Sequence, residues 1–237
     1  MARRLEDGLW QFDLGVFAPL AANVFLLDES ERDDTDDDTV TLVDTGLPVN
    51  YPTVRSELTD AGYEVADIDR VLLTHYDLDH VGGLARLNGL DAEVYLGAAD
   101  VALVRRDWDP QWAHHKGLFH RVARRFYPLE GYDLTPVEDG DRIGGFTAFH
   151  TPGHNPGHTV YVHEDIGTAF LGDLVWREGE GLTIPFWLDS YDMREIRRSV
   201  RGFADRTPAF ERALLAHGDP IHDGGDDDLR SLADSLA

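Results

Sequence analysis

Short runs of alternating or β-branched apolar residues recur along the chain, separated by Gly, Pro and Asp. Residues 9–14 and 23–27 predict strands, with the Pro19 region as the turn between them. Residues 40–43 predict a short buried strand ending at Asp44-Thr45-Gly46, and residues 70–74 a strand aimed at His75. Further strands are expected at 93–96, 146–150, 159–163, 168–171 and 213–216. Helical spacing marks 53–61, with Gly62 suited to its C-cap, then 81–87, 98–106 and 227–236. A helix over 191–203 carries Arg194, Arg197, Arg198 and Arg201 on its polar side. The Asp-packed stretch 28–39 reads as a solvated hairpin tip. Strands at both ends, with helices between and after them, predict a layered α/β sandwich. With no fixed-period repeat and no linker, residues 1–237 are expected to form a single domain.

One segment breaks the pattern. Residues 107–127 hold Trp108, Trp112, His114, His115, Phe119, His120, Phe126 and Tyr127, and read as an inserted helical segment. Between 105 and 125, five arginines and Lys116 face only Asp107 and Asp109. Two roles stay open. The segment is either a lid that attracts an anionic, partly apolar substrate or a surface helix whose cations pair with nearby acids. Its aromatics suit helix packing or contact with a second copy, making a homodimer a candidate assembly.

Charge sharpens that contrast. Forty-five acids face 21 basic residues, a net charge of −24, and Lys116 is the only lysine. Such a surface repels nucleic acid and anionic membranes, and neither is an expected partner. Asp-rich, Lys-poor composition resembles that of proteins from extreme halophiles, where screening falls to about 3 Å in molar salt. No apolar run has the length of a membrane span. Met1-Ala2-Arg3-Arg4 leads into Glu6 and Asp7 rather than an apolar leader core, so a cytoplasmic location is expected. Cysteine is absent, which excludes disulfides, thiolate nucleophiles and sulfur-held metals.

Four segments carry the candidate chemistry. Thr74-His75-Tyr76-Asp77-Leu78-Asp79-His80 packs imidazoles and carboxylates behind an apolar strand, where two close carboxylates are costly without a cation. His154 and His158 lie on the Pro/Gly loop Thr151-Pro152-Gly153-His154-Asn155-Pro156-Gly157-His158. Asp173 follows Phe170-Leu171-Gly172, and His217 follows Leu214-Leu215-Ala216. His158 has two readings, orienting a ligand or packing. His150 and His163 belong to strand patterns, and His222 sits near the acidic tail in a solvated setting.

In this order the four segments resemble the metallo-β-lactamase superfamily, from Asp44-Thr45-Gly46 to His217. The resemblance implies a four-layer αββα sandwich with the metal site at one edge between two sheets. It also implies two divalent ions, with zinc the first expectation. His75, position 77 and His154 would hold one ion. Asp79, His80 and His217 would hold the other, Asp173 would bridge them, and Asp44 would support the ligands from behind. The family's first motif is His-x-His-x-Asp-His, and here Asp77 stands at its second histidine. A carboxylate hardens the site and shifts preference towards iron or manganese. The flavodiiron reductases of the same superfamily also carry a carboxylate there.

The expected function is a metallo-hydrolase in which a metal-activated water attacks a small ester, thioester or lactone. Asp79 would orient the nucleophile and shuttle its proton, and Asp173 would bridge. A phosphodiester or phosphorylcholine ester is a neighbouring alternative. A non-haem di-iron oxidoreductase, flavodiiron-like or persulfide dioxygenase-like, is a different class. A metal-binding module without turnover is a third.

Overall fold

A computed structural model describes residues 2–15, 22–35, 37–49, 52–126, 129 and 131–236. The turn expected around Pro19 and the end of the inserted segment at Tyr127 lie outside them. Seven strands lie side by side in chain order: β1 (Ala2–Glu6), β2 (Leu9–Leu14), β3 (Ala22–Asp28), β4 (Val40–Val43), β5 (Arg70–Leu73), β6 (Glu93–Gly97) and β7 (Leu134–Val137). The first four form an antiparallel meander, and β4 to β7 run parallel. A second sheet combines β8 (Arg142–Ile143), β9 (Phe146–His150), β10 (Thr159–His163) and β11 (Thr168–Gly172) with the last strand, Arg212–Leu215. Between them come the two-stranded ribbon β12 (Trp176–Glu178) and β13 (Gly181–Thr183), so the last strand is β14. The helices are α1 (Val54–Ala61), α2 (Leu78–Val81), α3 (Ala98–Arg105), α4 (His115–Phe126), α5 (Met193–Arg206) and α6 (Gly225–Ser235).

Period-two alternation sorts the side chains of these strands into three apolar layers. Val24 and Leu26 of β3, and Val71 and Leu73 of β5, face outward onto Val54 and Leu58 of α1 and Val101 of α3. Their neighbours Phe25, Leu27 and Leu72 face the opposite way, onto Phe146, Tyr161, Phe170 and Leu214 of the second sheet. The far side of that sheet presents Val160, Val162, Ala169 and Leu171 to Ile196, Val200 and Phe203 of α5 and Leu229 of α6. The result is helix, sheet, sheet, helix, the four-layer αββα arrangement that the resemblance implied.

Helix termini follow their capping chemistry. Thr53 and Ser56 form a reciprocal capping box at the start of α1, and Gly62 closes it at φ 95°. Asp192 accepts the Arg194 and Glu195 amides to start α5. The expected helix over 81–87 is instead a single turn, Leu78–Val81, followed by a 3-10 turn, Gly82–Arg86. The described residues of 28–39 are exposed or half-buried from Ser30 onward, as a solvated tip should be, but Asp28 and Glu29 at its root are not. Glu29 is buried, with its carboxylate 2.9 Å from His163 Nε2 and 3.1 Å from Arg70 Nη2. This ion cluster joins the two sheets at the start of β5, the end opposite Asp44 and His75. Among the described residues, no helix is long and apolar enough to cross a membrane.

Candidate metal centre

β4, β5, β11 and β14 all end at one edge of the sandwich, and each delivers a polar residue just past its last apolar one. These are Asp44, His75, Asp173 and His217. Asp44 holds a left-handed backbone (φ 60°), which Asp tolerates better than most residues. That turn lets one carboxylate accept the Thr74 amide and hydroxyl, both at 2.8 Å, and His80 Nδ1 at 2.9 Å. With Nδ1 so engaged, His80 points Nε2 into the site. Gly83 completes the turn, since a Cβ there would lie 1.8 Å from the Thr45 carbonyl oxygen. Asp44→Asn keeps the backbone preference but turns an amide towards His80. Ion affinity should fall about 10- to 100-fold, measured by chelator competition. Unchanged affinity would deny Asp44 its orienting role.

The seven candidate ligands of the sequence converge. On one side, His75 Nε2 and His154 Nε2 are 3.1 Å apart and lie 3.3 Å and 3.1 Å from Asp77 Oδ2. On the other side, His217 Nε2 lies 3.3 Å from Asp173 Oδ1 and 3.6 Å from Asp79 Oδ2. His80 Nε2 lies 3.7 Å from Asp173 Oδ2 and 3.9 Å from Asp79 Oδ2. Asp173 stands between the sides, with Oδ2 also 3.3 Å from His154 Nε2. His75, Asp77, His80, His154 and Asp173 are buried, while Asp79 and His217 retain partial exposure.

Donor chemistry tests whether an ion fits. Among the described residues, His80 Nε2 is buried without a hydrogen-bond partner, and Asp173 Oδ1 is buried with no well-formed hydrogen bond, His217 Nε2 lying 3.3 Å from it. Orphaned polar atoms of this kind are costly. A divalent ion held by Asp79, His80, Asp173 and His217 would satisfy both, and donor spacings of this size suit ligand bonds of about 2.0–2.2 Å.

The charges fit the same picture. Burial opposes a charge on His217, but Asp173 and Asp79 push its pKa up to about 9. Burial likewise opposes charge on His80, yet Asp44, Asp79 and Asp173 hold it well above the usual histidine range. Burial would raise Asp173, but His217, His80 and His154 keep it well below the usual carboxylate range. Without an ion, then, two imidazoliums flank one carboxylate. The stabilising contribution of His217 is fully present below the ordinary histidine pKa and is lost as pH rises through about 9, and that of His80 is lost likewise above its ordinary range. An ion must displace these protons, so its affinity should rise with pH below about 9, by about tenfold per pH unit for each proton released. Chelator competition at two pH values checks this, and a pH-independent affinity would refute it.

Several participants were not expected from the sequence. Lys116 and His120, one helical turn apart on α4, both reach Asp77. Lys116 Nζ lies 2.7 Å from Asp77 Oδ2, and His120 Nε2 donates to Oδ1 at 2.6 Å. Asn155 Nδ2 donates to the same Oδ1 at 3.0 Å. Burial would raise the Asp77 pKa, but Lys116, His75 and His120 hold it well below the ordinary range. Buried Asp100 accepts the amides of Tyr76 and Gly157, each at 2.8 Å, and so ties the His75 loop to the His154 loop. His158 takes the orienting role, its Nε2 accepting the Asp173 amide at 3.0 Å and its Nδ1 2.8 Å from Thr151 Oγ1. Asp189, from the 3-10 turn Trp187–Asp189, stands close enough to group with His154 and Asp173. His150 and His163 bind Pro156 O and Glu29 instead, and His222 is exposed. The arginines Arg121 and Arg124 of the inserted segment pair with Asp109 and do not face the site.

A cleft of about 840 Å³ opens onto Asp77, Asp79 and His217. Its walls are mostly apolar, with Leu47, Val49, Leu78, Phe119, Trp176 and Phe186 prominent and Arg177 at the side. Phe119 and Phe186 are each half exposed, and Val49 more so.

Fold and site together define a metal-site protein of the αββα class. Residues 18–235 match the profile of the metallo-β-lactamase superfamily, and the chain belongs to that family. The probable metallo-hydrolase YybB of Bacillus subtilis is 26% identical over 194 residues, covering 81% of this chain and 80% of its own. Hydroxyacylglutathione hydrolase of Pseudomonas aeruginosa is 30% identical over 116 residues, covering 47% of this chain and 34% of its own. A solved structure described as a di-iron-bound form superposes with a TM-score of 0.64 at 26% identity, covering 91% of this chain and 96% of that one. The protein is a metallo-hydrolase of this superfamily, whose members typically bind divalent metals.

Proposed function

We propose that the protein hydrolyses a small ester, thioester or lactone with an apolar acyl or alkyl portion. The observation that carries this reading is the cluster Asp79, His80, Asp173 and His217, with its orphaned donor atoms, at the base of an apolar cleft. A divalent ion there, with zinc the first expectation, would supply Lewis acidity and a water of lowered pKa. Asp79 is the carboxylate of the cluster that faces the cleft, so it orients the attacking water and takes up its proton. Asp173 fixes the facing nitrogens of His80 and His217. Phe119, Trp176 and Phe186 exclude bulk water and seat the apolar part of the substrate. Similarity to a hydroxyacylglutathione hydrolase favours an acyl substrate.

Elemental analysis of protein purified in molar salt, followed by a panel of esters, thioesters, lactones and phosphodiesters, tests this reading. Turnover confined to phosphodiesters, or no turnover by ion-loaded protein, would overturn it. A second reading, di-iron redox chemistry, rests on the carboxylate at Asp77 and the likeness to the di-iron-bound form. A spin-coupled iron pair with oxygen consumption, in protein purified without oxygen, would favour it.

A further inference from the structure

The two halves of the ligand cluster differ. Around Asp79, His80, Asp173 and His217, two converging atoms, His80 Nε2 and Asp173 Oδ1, lack a well-formed hydrogen bond, whereas the orphaned atom of the other half, His154 Nδ1, is not one of the converging ones. Around His75, Asp77 and His154, a cation carried by the protein is already present. Lys116 Nζ lies 2.7 Å from Asp77 Oδ2, 2.9 Å from His154 Nε2 and 2.8 Å from the Asp189 carbonyl oxygen. An ammonium has three donors, and here each has one acceptor. Two of those acceptors are the atoms the first ion would need. Asp77 Oδ1 is taken as well, by His120 and Asn155.

We propose that the Lys116 ammonium takes the place of the first metal ion, so that this chain holds one divalent ion, among Asp79, His80, Asp173 and His217. The inference stands on side-chain geometry and does not depend on the hydrolase reading. An ion bonded to both Asp77 Oδ2 and His154 Nε2 at about 2.0 Å would sit within about 4 Å of the ammonium, with like charges and shared lone pairs. Both cannot be seated in a buried site.

The residue types support the exchange. A third imidazole at position 77 would offer an ammonium only a neutral acceptor, whereas the carboxylate of Asp77 neutralises it. The chain has 20 arginines and one lysine, and the lysine is the buried residue at this position. A compact ammonium with three radiating donors fits a triad built for a metal ion, and a planar guanidinium fork does not. Position 77 and Lys116 thus form one coupled departure from the family motif.

Three preparations test the proposal: ion-stripped native protein, Lys116→Ala and Lys116→Met, each reloaded with zinc and counted by plasma mass spectrometry. Circular dichroism checks folding. Native protein should take up one ion per chain. At least one folded lysine variant should take up a second, tenfold or more tighter than any second ion on the native chain. Asp77→His combined with Lys116→Ala rebuilds the three-imidazole side and should bind two ions if the single variants do not fold. The sole lysine also gives a direct readout. In protein labelled with 15N-lysine, the single Nζ signal should keep an ammonium shift and slow exchange after one equivalent of zinc. Two tightly bound zinc ions on the native chain would overturn the proposal. So would a signal that becomes that of an exposed amine on loading, or a count of one in every folded variant.

Discussion

Asp173→Ala should release the ion and lower turnover by about a thousandfold or more, the largest loss expected from any single substitution. The carboxylate is 2% exposed and lies within 4 Å of four imidazole nitrogens, those of His75, His80, His154 and His217. Its removal takes one negative charge from the donor set and deprives His217 of its nearest carboxylate, while His80 stays held by Asp44. The backbone is spared, because the Asp173 amide donates to His158 whatever the side chain. The ion-free fold should suffer much less, by about 1–3 kcal/mol. His217 loses the partner that does most to keep it charged, while His80 keeps Asp44 and Asp79, so no charge is left buried and unpaired. Elemental analysis and thermal melts with and without zinc separate the two effects. Loss of the zinc-dependent rise in melting temperature, with the ion-free melt nearly unchanged, is the expected pattern. A variant that keeps both ion and turnover would remove Asp173 from the centre.

How much of this was legible in the sequence depends on whether a residue's role is set locally. The strands leading to Asp44, His75, Asp173 and His217 announce themselves by β-branched content and alternation, and each of these four residues lies one or two positions past a strand's end. That local signal was compatible with a layered α/β fold, whereas the αββα architecture and the set of seven ligands came from the resemblance of the four segments, taken in order, to the family. β1 escaped notice because its Arg3 and Arg4 are exposed on an edge strand, and β7 because Pro136 interrupts its pattern. Glu29 was hidden for another reason, since its partners Arg70 and His163 lie 41 and 134 positions away.

Lys116 and His120 illustrate the same limit at the site. Nothing within residues 107–127 says which face of α4 meets the sheet edge. Their spacing of one turn, the uniqueness of the lysine and the anomalous carboxylate at 77 formed a signal only when taken together. The arginines of the segment drew attention because there are more of them, yet Arg121 and Arg124 turn to Asp109.

Asp79→Asn should separate holding the ion from moving the proton. Asp79 sits in the first turn of α2, and its side chain, 22% exposed, is the most accessible of the cluster carboxylates. An amide keeps an oxygen that can ligate, and His80, Asp173 and His217 remain, so zinc should be retained within about tenfold of native affinity. The amide nitrogen cannot accept a proton. With no other carboxylate of this cluster facing the cleft, kcat should fall about 10²- to 10⁴-fold while KM changes little. Asp79→Glu restores the acceptor and should recover part of the rate. The comparison of kcat with bound zinc carries the result. A retained ion with native kcat would mean that the proton leaves by another route, through the substrate or through His217. Loss of the ion with loss of rate would instead make Asp79 a ligand first, and would leave the proton acceptor to be found among the groups lining the cleft.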